Sequence, residues 1–600
     1  MKTYKLLVCL CWVLMGISCQ NFLDVAPINI VTDDAIFQSE SGVKAYLTTL
    51  YADLPIEDFR YGQRGFNPDG KGGARLAHLT GEAMSSTGDD ISTIGDGTWW
   101  GLWDFGKVRR VNYLLQTLPK YQSNFANQDL YRAFLGEAYF IRAYYYFAMV
   151  KRYGGVPIIE EPLTYDSDNL ETLRLPRDQE KACYDFIADD LDNAAELLPN
   201  NENLLGKGRA TRLAALALKS RAMLYAGTIA RYGDHDAAHC VGIESSYADD
   251  YFRLAFEAVD EVVSSGKFSL YRANSHPEKN YSELFLADDS PENIFVKYYQ
   301  RTVNAHGWDV YFIPYQYRGS GYASGMNPTL EFAELFERLD GSPAAFAERI
   351  RNERFDDPAE LFQGLDARFA GSVIYPNALF KGEACSIQKG LIIENGTKRE
   401  NATQYETALY KAQSGKEYHI VGKSGSGKFS GNMTGLYVRK YLDESLPQSE
   451  VKEAYSTQHW IDIRLAEVLL NGIEAAVESN THRDKALEWI NDLRTRAGLK
   501  ALTSAELTID KVRRERRIEL AFENHTYWDL RRWRVADKEL ESKQFTALNP
   551  YLDIRDEKYL FEAAPANSYY YTFERKMYYE RIPDGEIAKN HRLVQNPYYN

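Results

Sequence analysis

The sequence predicts a mainly α-helical protein, in which a tetratricopeptide-like repeat scaffold carries a large irregular insertion. Apolar and aromatic residues recur at three- and four-residue spacing in several long segments, as expected for helices that bury one face. The stretch from Leu465 to Gly498 has the 34-residue length of a tetratricopeptide repeat. Residues 272–460 instead contain many Gly, Asn and Pro residues, which favour loops and short strands.

The predicted helices are one long helix followed by two helix pairs. The long helix ends at two glycines ahead of Pro157, a typical helix end. In each later pair, small Ala and Gly residues lie on the sides that would face one another. The predicted bounds are 131–154 for the long helix, 211–233 with 251–271 for one pair, and 462–480 with 483–498 for the other.

The first residues predict an export signal. Two lysines precede an apolar run from Leu6 to Ile17, which is followed by Ser18 and Cys19. The run is too short for a mature membrane-spanning helix. A cysteine after a small residue resembles a bacterial lipobox, although Gly16 stands where Leu is usual. We therefore expect Cys19 to be lipidated and to begin the mature chain, and a plain secretory signal is the alternative.

The charge of the chain argues against general nucleic-acid binding as a function. The formal net charge is −15, and a field of that sign repels phosphate backbones. The basic run from Arg513 to Trp533 is a local exception, but Glu515, Glu519 and Glu523 alternate with its arginines at helical spacing. This pattern favours a salt-bridged helix over an anion site.

Cysteine usage predicts no disulfide framework. If Cys19 is lipidated, three cysteines remain in the mature chain, so at least one is unpaired. Stability is then expected to come from packing. The three remaining cysteines are Cys183, Cys240 and Cys385.

Two motifs resemble enzyme signatures, and each departs from the pattern at a critical position. The stretch "IVGKSGSGKF" fits most of a phosphate-binding loop, but Phe429 stands where a magnesium-binding hydroxyl is required. We expect a flexible loop there that contacts ligand or a partner. The stretch "HDAAH" has Asp236 where the zinc proteases have their basic Glu, so we expect at most adventitious metal binding by His235 and His239.

The chain resembles the SusD/RagB family of outer-membrane lipoproteins. The segments that carry the resemblance occur in family order along the whole mature chain. They are "NFLDVAP" behind the lipobox, 136–158, 210–226, 464–476, the run 513–533 and the closing 579–599.

The resemblance implies a fold, a partner and a kind of ligand. It implies four tetratricopeptide-like helix pairs that support a variable binding region. It also implies a TonB-dependent outer-membrane barrel of the SusC type, capped by the lipoprotein, and a glycan as the usual ligand, without catalysis or cofactor. The expected organisation is a signal peptide over 1–18, an N-terminal region over 19–271 and a C-terminal region over 272–600. The last of these contains the insertion 272–460 and the last helix pair within 461–533.

Candidate ligand-binding residues lie in the insertion. Sugars present apolar C–H faces and a rim of hydroxyls, so a binder needs exposed aromatic rings with polar groups beside them. The stretch from Asn304 to Tyr322 supplies both, although its alternation also fits a half-buried strand. The predicted site residues there are Trp308, Tyr311, Tyr315, Tyr317 and Arg318.

Further tryptophans divide into one candidate and several scaffold residues. Trp99 is predicted to add a ring to the site, because the early region of the family also contributes one. Trp103 precedes residues at helical spacing and is expected to pack in the scaffold. Trp489, Trp528 and Trp533 lie in helical segments, where an aromatic residue more often packs than binds.

The sequence thus predicts a surface-exposed, lipid-anchored protein that binds oligosaccharide or polysaccharide and passes it to a SusC-like transporter. No cofactor or metal site and no catalysis are expected. One alternative is a protein that binds peptide or another nutrient, since tetratricopeptide arrays commonly bind peptides in their concave face. Another is a secreted glycosidase, which would need a pair of carboxylates that sequence spacing cannot locate.

Overall fold

Helices dominate the architecture of the protein. The structure is a computed structural model that describes residues 33–62, 65–66, 76–86, 101–165, 170–236, 238–400, 408–425 and 431–599. Eight long helices of this described part form four consecutive pairs, as the family resemblance implies. They are α1 (Glu40–Ala52) with α2 (Phe105–Thr117), α3 (Gln128–Tyr153) with α4 (Glu180–Leu197), α5 (Arg212–Tyr232) with α6 (Ala248–Ser264), and α7 (Leu465–Glu478) with α8 (Arg483–Arg496).

Small residues allow the helices to pack closely. Helices α3 to α6 contact one another in sequence order, and α7 contacts both α6 and α8. A Cβ added at Gly227 of α5 would lie 2.7 Å from the Phe252 ring of α6. One added at Gly472 of α7 would lie 2.7 Å from Val259 and 2.8 Å from Trp489. Any larger residue at either glycine would push two helices apart, because interiors are close-packed.

The segment between α6 and α7 is built from short elements. Its helices are Pro277–Glu283, Trp308–Phe312, Leu330–Ala333, Phe346–Asn352 and Ala367–Ser372. Its strands are Asn293–Lys297, Asn327–Pro328, Val373–Ile374, Leu379–Phe380, Glu383–Ala384, Gly390–Ile392, Lys398–Glu400, Leu409–Lys411, Glu417–His419 and Tyr437–Val438. The strand Trp460–Arg464 leads into α7 and pairs antiparallel with Asn293–Lys297, which brings both ends of the segment together beside the scaffold.

The remaining elements lie at the two ends of the described chain. A hairpin of Thr546–Asp553 and Lys558–Pro565 extends a four-stranded sheet, in which Thr546–Asp553 runs parallel to Gly390–Ile392. Near the start are the helix Asp33–Phe37 and the strands Tyr61–Gly62, Gly65–Phe66 and Ala83–Met84. Near the end are the helices Ile509–Glu519, Thr526–Arg532, Ala536–Leu540 and Asp584–Lys589.

The arginines of the run 513–533 are ion-paired within the protein, which agrees with the preference for salt bridges over an anion site. The predicted pairing at helical spacing is wrong, however, because Glu515, Glu519 and Glu523 pair with cations from other segments of the chain. Arg516 Nε lies 2.8 Å from a carboxylate oxygen of Asp529, and both side chains are buried. Glu519 accepts from Arg464 and Arg496, which come from other segments of the chain. Burial alone would raise the pKa of Glu519, but the neighbouring guanidinium groups of Arg496, Arg464 and Arg368 hold it well below its usual range.

Hydrogen bonds to Glu57 join the start of the described chain to its end. One carboxylate oxygen of Glu57 accepts from Arg152 at 2.6 Å. The other accepts from the indole N–H of Trp528 at 2.7 Å. The side-chain amide of Asn524 donates to the backbone carbonyl of Glu57. Trp528 is therefore a packing residue, as predicted, and Trp489 and Trp533 are buried as well.

The state of the three cysteines agrees with the sequence analysis. Cys183, Cys240 and Cys385 are buried and unpaired. In the part of the chain that the structure describes, none of the helices combines the length and the apolar character needed to cross a bilayer.

Candidate ligand-binding surface

The predicted binding stretch folds as short helical turns, and the strand alternative is wrong. Trp308–Phe312 is a helix, and Tyr315–Tyr317 is a 3₁₀ turn. The carboxylate of Asp309 anchors this stretch, because it accepts from Ser456 Oγ at 2.7 Å, Gln458 Nε2 at 2.6 Å and the Asp443 amide at 2.9 Å. Burial raises the pKa of Asp309 above its ordinary value, so this acid serves the fold.

Trp308 lies in the core and has no ring face for a ligand, contrary to the prediction. Its ring is 1% exposed. The centre of its ring lies 5.1 Å from that of Phe59 and 4.5 Å from that of Phe312. Its indole N–H donates to the Lys440 carbonyl at 3.0 Å. Residues at positions i and i+4 of a helix share a face, so the short helix turns Trp308 and Phe312 inward together.

Tyr317 is also buried, and it too is removed from the predicted platform. Its ring is 4% exposed and packs 5.1 Å from the ring of Phe380. Burial is the main cause that raises its pKa well above the usual value. Two of the five predicted residues of this stretch are thus core residues, because the turns that carry them face the interior.

The other three predicted residues are only partly buried, and together with Tyr322, which was not predicted, they form two pairs. The rings of Tyr311 and Tyr322 lie 5.2 Å apart in a tilted arrangement, and Tyr322 is 50% exposed. The guanidinium carbon of Arg318 lies 3.3 Å from the centre of the half-buried Tyr315 ring. We call Tyr311, Tyr315, Arg318 and Tyr322 the aromatic surface.

Backbone packing holds the aromatic surface in place. A Cβ added at Gly319 would lie 2.2 Å from the Gln448 carbonyl oxygen and 2.5 Å from that of Val451. The side chain of Gln448 also donates to the Arg318 carbonyl at 2.9 Å. Only glycine permits this approach, and the turn between Arg318 and Tyr322 is thereby fixed against the neighbouring segment. Gly321 has open space around it.

Glu453 adjoins the aromatic surface, and neither it nor the nearby Tyr455 was predicted from the sequence. Glu453 accepts from the Tyr311 hydroxyl at 3.0 Å. The guanidinium carbon of Arg301 lies 4.8 Å from the centre of the half-buried Tyr455 ring. A single tyrosine in a polar stretch gives no signal of clustering, and Arg301 lies far from it in sequence. Tyr322 ends the stretch 304–322 but was not among the predicted site residues.

The first half of the phosphate-loop motif is used in packing. The Gly422 amide donates to the Gln388 carbonyl at 3.0 Å, and the Ser424 amide to the Ser386 carbonyl at 2.8 Å. In a true phosphate loop these N–H groups would face the phosphates. Ser424 Oγ instead accepts from the Gln316 amide at 3.1 Å, next to Tyr315. Gly427, Lys428 and Phe429 lie outside the described residues.

Trp99 and Cys19 also lie outside the described residues, so both remain predictions. Trp103 is described and is half-buried, and its ring packs 5.1 Å from that of Tyr153 on α3. This agrees with its expected scaffold role. Among the described residues, one group of His and acidic side chains has its ligand atoms close enough to hold a metal: His235, His239 and Glu244, away from the aromatic surface in sequence.

The fold defines a helical-repeat protein with a large loop-rich segment between its third and fourth helix pairs. The chain belongs to the SusD family. The model of the SusD family matches residues 291–599. A second model, described as starch-binding and associating with the outer membrane, matches residues 21–224.

Relatives match along most of this chain. A SusD-like protein of Formosa agariphila, P25, is 22% identical over 92% of this chain and 94% of its own length. A SusD-like protein of Bacteroides fragilis has a solved structure that is similar with a TM-score of 0.68 at 24% identity, covering 96% of this chain and all of the other. A laminarin-binding SusD-like protein is similar with a TM-score of 0.54 at 18% identity, over 93% of this chain and 99% of the other.

Proposed function

We propose that this chain is a cell-surface lipoprotein that binds oligosaccharide or polysaccharide on the aromatic surface. The observation that carries the proposal is the tilted pair of Tyr311 and exposed Tyr322, on the same stretch of chain as the stacked Tyr315 and Arg318. Membership of a carbohydrate-binding family, with one relative named as laminarin-binding, supports a glycan as the ligand.

The chemistry of the aromatic surface suits a sugar ring. The exposed face of Tyr322 provides an apolar area for C–H groups, and Tyr311 sets its tilt. The guanidinium of Arg318 has several N–H donors in a fixed plane, which suits hydroxyl or carboxylate groups at the rim of a sugar. Burial of ring faces would supply affinity, and the polar rim would select among sugars.

Binding without turnover fits the acids near the aromatic surface. Glycoside hydrolysis requires two carboxyl groups that flank the scissile bond. Here the carboxylate of Asp309 is buried and accepts three hydrogen bonds from the protein. Glu453 accepts from Tyr311 and Glu383 from the Gln316 side chain. These three acids are engaged in holding the surface together, so we infer a binding role.

We further propose that Cys19 carries a lipid anchor and that the chain passes its ligand to a SusC-like TonB-dependent barrel in the outer membrane. The lipobox-like sequence supports the anchor. The family description as associated with the outer membrane supports the location. Co-purification of the barrel with the native lipoprotein from detergent-solubilised membranes tests the partnership, and loss of the anchor in a Cys19→Ala variant tests the lipidation.

The ligand is tested by affinity electrophoresis of the chain from Gln20 onward in gels that contain plant, host or microbial polysaccharides, laminarin among them. Retardation by one glycan class, with no cleavage products in the gel, is the expected result. Retardation by none, together with binding of peptides, would favour the alternative of a peptide or nutrient carrier. Release of shorter sugars would show a glycosidase.

Single substitutions then test the site. Tyr322→Ala should lower glycan affinity about tenfold or more, because burial of an aromatic ring contributes about 1.5 to 3 kcal/mol. Tyr322→Phe should retain affinity, since the ring face remains. Tyr165→Ala is the matched control, because Tyr165 is 73% exposed and lies outside the aromatic surface. Equal affinity of the wild type and Tyr322→Ala would place the ligand elsewhere.

A further inference from the structure

The described residues of the "HDAAH" stretch, His235, Asp236, Ala238 and His239, lie outside a helix, so they cannot act as a zinc-protease motif. Helix α5 ends at Tyr232, before His235. In those proteases the two histidines lie one helical turn apart, with an acid between them as the base. Here one carboxylate oxygen of Asp236 accepts from the Val241 amide at 3.3 Å, so this acid closes the turn.

The turn nevertheless brings both imidazoles to one carboxylate. The rings of His235 and His239 stack, with their centres 4.7 Å apart. Nε2 of His235 lies 3.7 Å from Oε1 of Glu244, and Nε2 of His239 lies 3.8 Å from the same oxygen. The three ligand atoms all lie within 4.8 Å of one another. Glu244 was not visible in the motif, because it follows the second histidine outside the pattern.

The backbone that carries these side chains is fixed by the scaffold. The His239 carbonyl accepts from the Glu180 amide at the start of α4, at 3.0 Å. The Gly242 amide donates to the Glu180 carboxylate at 2.5 Å. A Cβ added at Gly242 would lie 2.2 Å from the Asp234 carbonyl oxygen, so a glycine is required for the two arms of the turn to meet.

We propose that His235, His239 and Glu244 bind one divalent transition-metal ion, with zinc the best fit. Two imidazole nitrogens and one carboxylate oxygen form a ligand set that zinc commonly takes. Calcium and magnesium prefer oxygen ligands alone. Ligand atoms about 2.0 to 2.2 Å from zinc lie somewhat closer together than the three atoms do here, so small side-chain rotations complete the site. This departs from the sequence expectation of no metal site.

The ion would link the end of α5 to the start of α6 and would keep one coordination position free. The turn connects the end of α5 to the start of α6, so a bound ion would fasten that connection. Three protein ligands leave a fourth tetrahedral position for water or another donor. His235 also lines a cavity of about 420 Å³ together with Arg534 and Tyr598, from which such a donor can approach. An ion that binds only the folded chain also stabilises it.

The test uses the chain from Gln20 onward without an affinity tag. The protein is loaded with Zn²⁺, passed over a desalting column and assayed for metal by mass spectrometry, and its affinity is measured by competition with a chromophoric chelator. The expected result is one zinc per chain, no comparable retention of Ca²⁺ or Mg²⁺, and a higher melting temperature with zinc.

Substitutions distinguish a built site from scattered surface binding. Loss of an outer-shell partner already weakens metal sites by about 10- to 100-fold, so His235→Gln and His239→Asn should each weaken zinc binding by at least about tenfold. Asn suits His239 because its φ is +55°. His276→Gln is the matched control, since His276 lies 3.7 Å from Glu278 without a second histidine. Unchanged zinc affinity in His235→Gln, with native circular dichroism, would overturn the proposal, and so would absence of retained zinc in the wild type.

Discussion

Arg464 and Glu519 form an ion pair in the protein interior, with 2.8 Å between a guanidinium nitrogen and a carboxylate oxygen. Both side chains are at most 1% exposed. Arg464 leads into α7, and Glu519 ends the helix Ile509–Glu519. The pair therefore joins the last repeat to the segment that follows it.

Removal of the Glu519 charge should strongly destabilise the fold. Glu519→Gln leaves Arg464, Arg496 and Arg368 with one anion fewer in a buried site, and such losses cost about 3 to 5 kcal/mol. The measurement is the free energy of unfolding in urea. Asp289→Asn is the control, since the pair of Asp289 with Lys207 is exposed and such pairs contribute little. Equal stability of Glu519→Gln and wild type would contradict a structural role.

Glu180 should make stability depend on pH. Burial raises its pKa to about 7. Oε2 accepts from Tyr579 at 2.7 Å, whereas the buried Oε1 has no hydrogen-bond partner among the described residues. The folded state thus holds a proton that the unfolded chain releases near pH 4.3. Its contribution to stability is complete below about pH 4.3 and is lost as the pH rises to about 7.

Glu180→Gln removes this titration. Relative to wild type, the variant should gain about 3 kcal/mol of unfolding free energy between pH 4 and pH 8, at about 1.4 kcal/mol per unit of pKa shift. Urea titrations of both proteins at the two pH values give the comparison, and the value at pH 4 serves as the reference for packing effects of the amide. A difference that is the same at both pH values would show that folding does not raise the pKa of Glu180.

Trp308 and Tyr322 should respond oppositely to truncation. Trp308→Ala opens a cavity between Phe59 and Phe312, and such changes cost about 3 to 5 kcal/mol of stability. Tyr322→Ala should leave stability nearly unchanged, because half of its side chain is already in water. Thermal and urea unfolding measure both variants. A Trp308→Ala protein of native stability would mean that the tryptophan is not part of the core.

Two neighbouring glycines allow a sharp test of the aromatic surface. An Ala at Gly319 would meet two backbone carbonyl oxygens, so Gly319→Ala should shift the turn, cost about 1 to 3 kcal/mol and weaken glycan binding. Gly321→Ala has open space around it and should change neither property. Affinity electrophoresis and urea unfolding of the pair provide the measurement. Equal behaviour of the two variants would show that the turn is not held as described.

The scaffold was predictable because its helices carry their own signals. The helix predicted over 211–233 is observed as Arg212–Tyr232, and the one predicted over 131–154 as Gln128–Tyr153. Periodicity, glycine stops and small facing residues act within each segment. Helix α4 and the first pair were not identified from periodicity, and four pairs were expected only from the family resemblance.

The orientation of the rings in the binding stretch was not predictable in the same way. Trp308 and Tyr311 are three residues apart, and which of them is buried depends on Phe59, a residue far away in sequence. The stretch is also too short to show whether its period is that of a strand or a helix. Partners brought together by the fold, such as Glu453 with Tyr311 or Glu244 with the two histidines, leave no trace in local sequence.

The contact between Glu57 and Trp528 bears on how the chain reaches its native state. These residues are 471 positions apart. The carboxylate of Glu57 can therefore accept the hydrogen bond from Trp528 only after nearly the whole chain is present. Contacts of such long range slow folding, since loop closure must precede the stabilisation that they bring. The early helix pairs therefore cannot make all of their native contacts until the C-terminal helices are present.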